Sequence, residues 1–116
     1  MTYKDLEVYK RSYRLALEMH NFSLKLQKSL QFDIADQIRR ASRSVASNIA
    51  EGYARARSNK DKINFLRMAL GSNEEMLFNL DFLKDSGLME KSLYTRWSSE
   101  YTSNGKQLYR LIESLK

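Results

Sequence analysis

The sequence predicts an all-α chain folded as an antiparallel, up-and-down bundle of four helices. Three observations predict it. Proline is absent and glycine occurs only at positions 52, 71, 87 and 105, so little in the backbone opposes long helices. Apolar side chains recur at alternating spacings of three and four in four successive stretches. The stretches are separated by short joints, which favour antiparallel neighbours. At 116 residues the chain reads as a single domain, 1–116, with a modest core that a partner subunit would extend.

The first helix is expected from about Asp5 to Lys25, with Leu6, Tyr9, Tyr13, Ala16, Met19 and Ser23 on one face and Val8, Leu15 and Phe22 beside them. Gln27 to Gln31 is polar enough to connect it to the second, expected from Asp33 to about Ala54. Asp33 is placed to cap that helix and Asp36 lies in its first turn, beside the positive helix end. Its apolar row is Ile34, Ile38, Ala41 or Ser42, Val45 and Ile49, among many small residues that permit close approach of another backbone. The third helix starts at Ser58, with Asp61 at capping-box spacing, and stops at Gly87. Gly71 inside it is read as a close helix crossing. The fourth runs from roughly Ser92 to Ser114 on Leu93, Trp97, Tyr101, Asn104, Leu108, Leu111 and Leu115. Asn104 and Gly105 interrupt this row, either as a local irregularity or as a solvent-facing pair.

Composition narrows the function. The chain has no cysteine, which excludes disulfides and thiolate metal sites. No stretch approaches the roughly 20 apolar residues that span a bilayer, and no secretory pattern opens the chain, so a cytoplasmic protein without a membrane partner is expected. His20 is the only histidine. With it go the histidine relays and the Glu-x-x-His units of carboxylate metal bundles. No phosphate loop or dinucleotide glycine pattern is present. No catalytic residue, metal or cofactor is therefore expected, and an enzyme is the most distant reading.

The formal net charge is +6. Residues 1–30, 31–60 and 91–116 each carry +3, and residues 61–90 carry −3. Gln37, Arg40, Ser44, Asn48, Glu51 and Arg55 follow one another by three or four residues, which makes a polar stripe on the second helix. Arg39 and Arg43 lie beside it. Arg55, Arg57, Lys60 and Lys62 form a second basic patch at the next joint, with Tyr53 either stacking on an exposed base or covering a neighbouring helix. One reading is a solvated face with internal hydrogen bonds. The other is a docking face for nucleic-acid phosphate or an acidic protein, which the guanidinium fork suits. On that reading the binding residues are Arg39, Arg40, Arg43, Asn48, Glu51, Arg55, Arg57 and Lys60.

QIRRASRSVASNIAEG, Gln37–Gly52, resembles the signature of the small four-helix proteins encoded within intervening sequences of bacterial 23S ribosomal RNA genes. FLRMALGSNEE, Phe65–Glu75, and YKDLEVYK, Tyr3–Lys10, extend the likeness in the same order and spacing. The usual proline of the first motif is Ala46 here. The resemblance implies a left-handed up-and-down bundle that assembles as a homopentamer. Related bundles include the accessory protein of diversity-generating retroelements, which binds nucleic acid through a basic surface. The family carries no established activity. The resulting expectation is a noncatalytic homo-oligomer that presents a basic surface to RNA, DNA or a ribonucleoprotein. The alternative is a protein–protein adaptor or scaffold that binds no nucleic acid.

Overall fold

The computed structural model describes residues 2–116. A short 3-10 turn, Tyr3–Asp5, leads into α1, Glu7–Leu24. A second such turn, Lys28–Leu30, joins it to α2, Ile34–Ala54; α3 is Asn59–Asp85 and α4 is Lys91–Ser114. The molecule measures 43 × 23 × 21 Å. Its long dimension is close to the roughly 40 Å that 27 helical residues span at about 1.5 Å each, so the helices lie alongside one another for their full length. α1 packs on α2, α2 on α3, α3 on α4 and α4 on α1, whereas the backbones of α1 and α3 lie diagonally across the core.

Cross-helix pairs show that neighbours are antiparallel, because partner numbers fall on one helix as they rise on the other. Ser44 meets Ser72, and Gly52 lies against Phe65. Asn73 bonds to Tyr101, whereas Asp81 bonds to Tyr94. Arg11 bonds to Gln107, Arg14 to Glu100 and Glu18 to Trp97.

The helix ends that the sequence marks by a capping residue or a stop follow that local chemistry, with one exception. The Ser58 hydroxyl accepts from the Asp61 amide at 3.1 Å and caps α3. α3 stops in a Schellman turn: Leu88 N–H donates to Leu83 O at 2.8 Å and Gly87 N–H to Lys84 O at 3.1 Å. Gly87 takes the left-handed φ of 78° that this turn needs. The exception is Asp33, whose side chain makes no capping bond although it occupies the N-cap position of α2. That end is held instead by Arg39 reaching back across the joint, as described below.

The core has two apolar halves. One holds Leu15, Met19, Ile38, Met76, Leu80, Leu83, Trp97 and Tyr101. The other holds Val8, Val45, Ile49, Leu66, Ala69, Leu108 and Ile112. Between them on α1, α3 and α4 sit Ser12, Asn73 and Asn104, all fully buried. Asn104 Nδ2 donates to Ser12 Oγ at 2.8 Å and to Asn73 Oδ1 at 3.1 Å. Asn73 Nδ2 donates to the Tyr101 carbonyl at 2.8 Å. The interruption of the α4 row is thus neither an irregularity nor a solvent-facing pair. It is a polar layer that hydrogen-bonds three helices inside the core, where unmet polar groups are costly.

The close helix approaches fall elsewhere than at Gly71. A Cβ on Gly71 would meet nothing within 4 Å. A Cβ on Gly52 would lie 3.1 Å from Phe65 Cβ, and one on Gly105 would lie 3.1 Å from Asn73 Nδ2. The α2–α3 and α3–α4 seams are therefore the ones that depend on a missing side chain.

α1 and α4 close the bundle mainly through a charged clasp. Glu18 accepts from Trp97 Nε1 at 2.8 Å, from Arg96 at 2.9 Å and from Arg14 at 2.8 Å. Arg14 also pairs with Glu100. Burial pushes the Glu18 carboxyl upward, but the hydrogen bonds from Trp97 and Arg14 and the nearby Arg14 and Arg96 charges outweigh it, so Glu18 sits below its ordinary value.

Four outcomes follow in denaturant melts. Asn104→Leu, which strands Ser12 and the Asn73 carbonyl oxygen, costs about 2 kcal/mol. The Asn73→Leu, Asn104→Leu double variant costs less than the sum of the single variants, because each single change removes the same Asn104–Asn73 hydrogen bond and leaves its other partner unpaired. Gly71→Ala gains roughly 0.5–1 kcal/mol of helix stability, whereas Gly52→Ala and Gly105→Ala show no gain. For Glu18 the folded carboxyl has the lower pKa, so its contribution is present above the unfolded value and fades as pH falls through the folded one. Glu18→Gln therefore destabilises by about 1–2 kcal/mol near neutrality, and the gap to wild type closes as pH falls below about 4.5.

Candidate nucleic-acid interface

α2 presents the residues singled out in the sequence, but the structure divides them into three groups. The first is a fastener. Arg39 is half-buried, and its Nη1 donates to Ser23 Oγ at 2.8 Å and to Gln31 Oε1 at 3.0 Å. Its Nη2 donates to Gln31 O at 2.9 Å. Gln31 Nε2 in turn donates to the carbonyls of Ser23 and Leu26, both at 2.8 Å. The planar fork of Arg39 thus locks the α1–α2 joint from the inside, with three of its N–H donors engaged there.

The second group is a seam. Asn48 Nδ2 donates to Ser44 O at 2.9 Å and to Ser44 Oγ at 3.0 Å, and Ser44 Oγ lies 2.8 Å from Ser72 Oγ on α3. Above it Gln37, Arg40, Ala41, Ser44, Ser72 and Glu75 line a cleft of about 400 Å³ between α2 and α3. Arg40 stands exposed at its rim, 3.5 Å from Asp36 one turn earlier. Acid and base are both present, so the cleft carries no single sign of charge.

The third group is a basic pole. At the C-terminal end of α2, Arg55 is exposed and 3.7 Å from Glu51, a solvated pair worth little. Arg57 and Lys60 are exposed, and neither side chain has an acidic partner within 4 Å among the described residues. Lys62 Nζ sits 4.5 Å from the centre of the Tyr53 ring. Tyr53 packs on the lower core half and its phenol is pushed upward by burial, so the ring covers a neighbouring helix and is not a free stacking platform.

The chain ends add to this pole in a way the basic runs did not reveal. Tyr3 lines a groove with Glu51, Ala54 and Arg55, which brings Lys4 to the same end. Asn59 Nδ2 reaches the Leu115 carbonyl at 3.4 Å, which brings Lys116 there, paired with Glu113 at 2.6 Å. The signal was available: an even number of antiparallel helices returns both termini to the end that holds the α2–α3 joint. The acids of this end are partly engaged, since Asp5 accepts from the Thr2 amide and Asp61 from the Arg57 amide.

Arg43 belongs to none of the three groups. It is exposed, without an ion pair among the described residues, on the rim of an apolar groove between α1 and α2. No three His, Cys, Asp or Glu side chains among the described residues gather as a metal site. No helix among them is long and apolar enough to cross a membrane.

A solved structure from Bacteroides thetaiotaomicron, described as a protein of unknown function from the S23 ribosomal protein family, is similar over 91% of this chain and 95% of its own. The two share 26% sequence identity with a TM-score of 0.83. A comparison with curated proteins gives no match. The 23S rRNA-intervening sequence protein family matches residues 4–110, nearly the whole bundle, and the chain belongs to that family.

Proposed function

We propose that the chain is a noncatalytic, cytoplasmic homo-oligomer, a ring of five in keeping with its family resemblance, that holds RNA or DNA by the phosphate backbone. The observation that carries this reading is the convergence of Lys4, Arg57, Lys60 and Lys62 on one end of the bundle without ion pairs among the described residues. Arg55 stands beside them with its weak Glu51 pair. Such a pole attracts a polyanion through its charge, which does not read bases. The name of the neighbouring family structure, a ribosomal protein family, points in the same direction.

A protein-directed adaptor is the second reading, and Phe32 favours it. That ring is 98% exposed at the α1–α2 joint, at the end of the bundle opposite the basic pole. Nuclease treatment separates the two readings, since a protein partner captured on Phe32 survives it.

Filter binding of a mixed-sequence RNA and a DNA duplex across a salt series tests the leading reading. Binding weakens steeply with salt, and the Arg55→Gln, Arg57→Gln, Lys60→Gln variant lowers the slope by about one for each contact removed. Arg39→Gln instead lowers thermal stability and leaves the slope unchanged. Absence of binding to either nucleic acid at low salt overturns the reading.

A further inference from the structure

Beyond the core and the basic pole, two of the exposed apolar surfaces complement each other. On α3, Phe78 is 68% exposed and Phe82 is 50% exposed. They follow Glu75 by three and seven residues and precede Asp85, so one helical row reads acid, ring, ring, acid. Glu75 has no ion pair among the described residues, whereas Asp85 lies 3.7 Å from Lys84. This is a ridge: two aromatic rings standing out of a helix in an acidic setting.

Between α1 and α2 lies its counterpart. Tyr9, Tyr13, Leu17 and His20 on α1 and Arg43, Ala46, Ser47 and Ala50 on α2 border a groove of about 550 Å³. Tyr13 and Leu17 are about half exposed, at 52% and 53%. The floor is made of small side chains, Ala16, Ala46, Ser47 and Ala50, which leave room for a ring. The rim carries Arg43 and His20 and no acid. The other apolar groove, between α3 and α4, mixes Glu74 with Lys106 and Arg110 and lacks that uniform sign.

We propose that the Phe78–Phe82 ridge of one copy docks into the α1–α2 groove of the next, with Glu75 facing Arg43. This rests on the self-association in the functional reading above and identifies its seam. The argument is complementarity in shape and charge between two faces of the same chain: a protruding aromatic pair with an acid against an acid-free groove with a base. The chain cannot satisfy the contact internally, because the exposed rings on α3 and the groove between α1 and α2 lie on different outward faces of the bundle. Groove and ridge are different patches, so the contact is head-to-tail, and repeating it closes a ring or grows a fibre. Arg43 then belongs to the subunit seam and not to the nucleic-acid surface.

Sedimentation equilibrium of the full chain and two variants tests this. Leu17→Glu, Arg43→Glu alters only the groove face, and Phe78→Glu, Phe82→Glu alters only the ridge; all four side chains are exposed, and circular dichroism checks that the helices persist. Wild type sediments as an oligomer and each variant alone as one chain. Mixed in equal amounts, the variants form a two-chain complex, because one keeps an intact ridge and the other an intact groove. A monomeric wild type overturns the self-association itself. Variants that stay assembled leave self-association standing and overturn this seam, and monomeric variants that fail to pair on mixing overturn the head-to-tail contact. Should either variant unfold, Leu17→Cys, Phe78→Cys in this cysteine-free chain gives the independent readout. Oxidation yields a ladder of cross-linked chains for the double variant and at most dimers for each single one, and a double variant that stays monomeric on oxidation overturns the proposal.

Discussion

The structure depends on a polar constraint inside an apolar core. Leucine, methionine and isoleucine side chains lining four helices supply most of the driving force for folding, but they specify position weakly, since one helix can slide on another at modest cost while burying similar area. Asn104 removes that freedom. Its amide hydrogens reach Ser12 and Asn73 in a single alignment of α1, α3 and α4, and a slip by one turn would leave three polar side chains unpaired in a dry interior. Gly105 belongs to the same device, because a Cβ there would lie 3.1 Å from Asn73 Nδ2 and push that amide away from α4. The register of the bundle follows from this layer, and with it the choice of side chains that point outward.

Once the register is set, the surface sorts itself by end and by side. Both chain termini and the α2–α3 joint fall at one end, and positive charge scattered through the sequence collects there. The negative interval of the sequence lies almost wholly on α3, where it flanks the exposed rings of Phe78 and Phe82. A side for self-contact and an end for a polyanion do not compete for the same residues. Rotation about one axis also keeps equivalent ends of all subunits on the same face of a ring. The proposed seam would therefore turn several weak basic poles into one multivalent surface, and avidity of that kind needs no strong site on any single copy.

Much of the fold was legible in the sequence, and its omissions have physical causes. Helix positions followed from spacing alone, because no proline or mid-strand pattern competed. The Ser58 cap and the Gly87 stop are local chemistry and were readable for the same reason. Asn104 was misjudged because periodicity places a residue on a face without revealing what stands opposite; its partners are 31 and 92 positions away. Gly71 looked like a crossing because it sits in an apolar helix, but a crossing is a property of two helices, and only Gly52 and Gly105 have a neighbour at contact distance. At the candidate site, Arg57 and Lys60 were found as a local charge cluster. The addition of Lys4 required joining the topology to the charge, which a pass along the chain does not do.

The same geometry explains why a family signature identifies the fold without identifying a ligand. Arg39 is engaged in locking a joint, and Ser44, Asn48 and Ser72 in bonding α2 to α3. Gly52 makes room for Phe65, and Leu66 and Ala69 fill the core. Most of the motif is thus consumed in building the bundle, and a motif consumed in this way marks every chain that folds alike, whatever it binds. Of what remains exposed from it, Gln37, Arg40 and Glu75 border a cleft of mixed charge, and Arg43 stands on the rim of the α1–α2 groove. Exposed cations and rings also stand outside the two helix motifs: Arg57 and Lys60 at the α2–α3 joint, and Phe78 and Phe82 on α3.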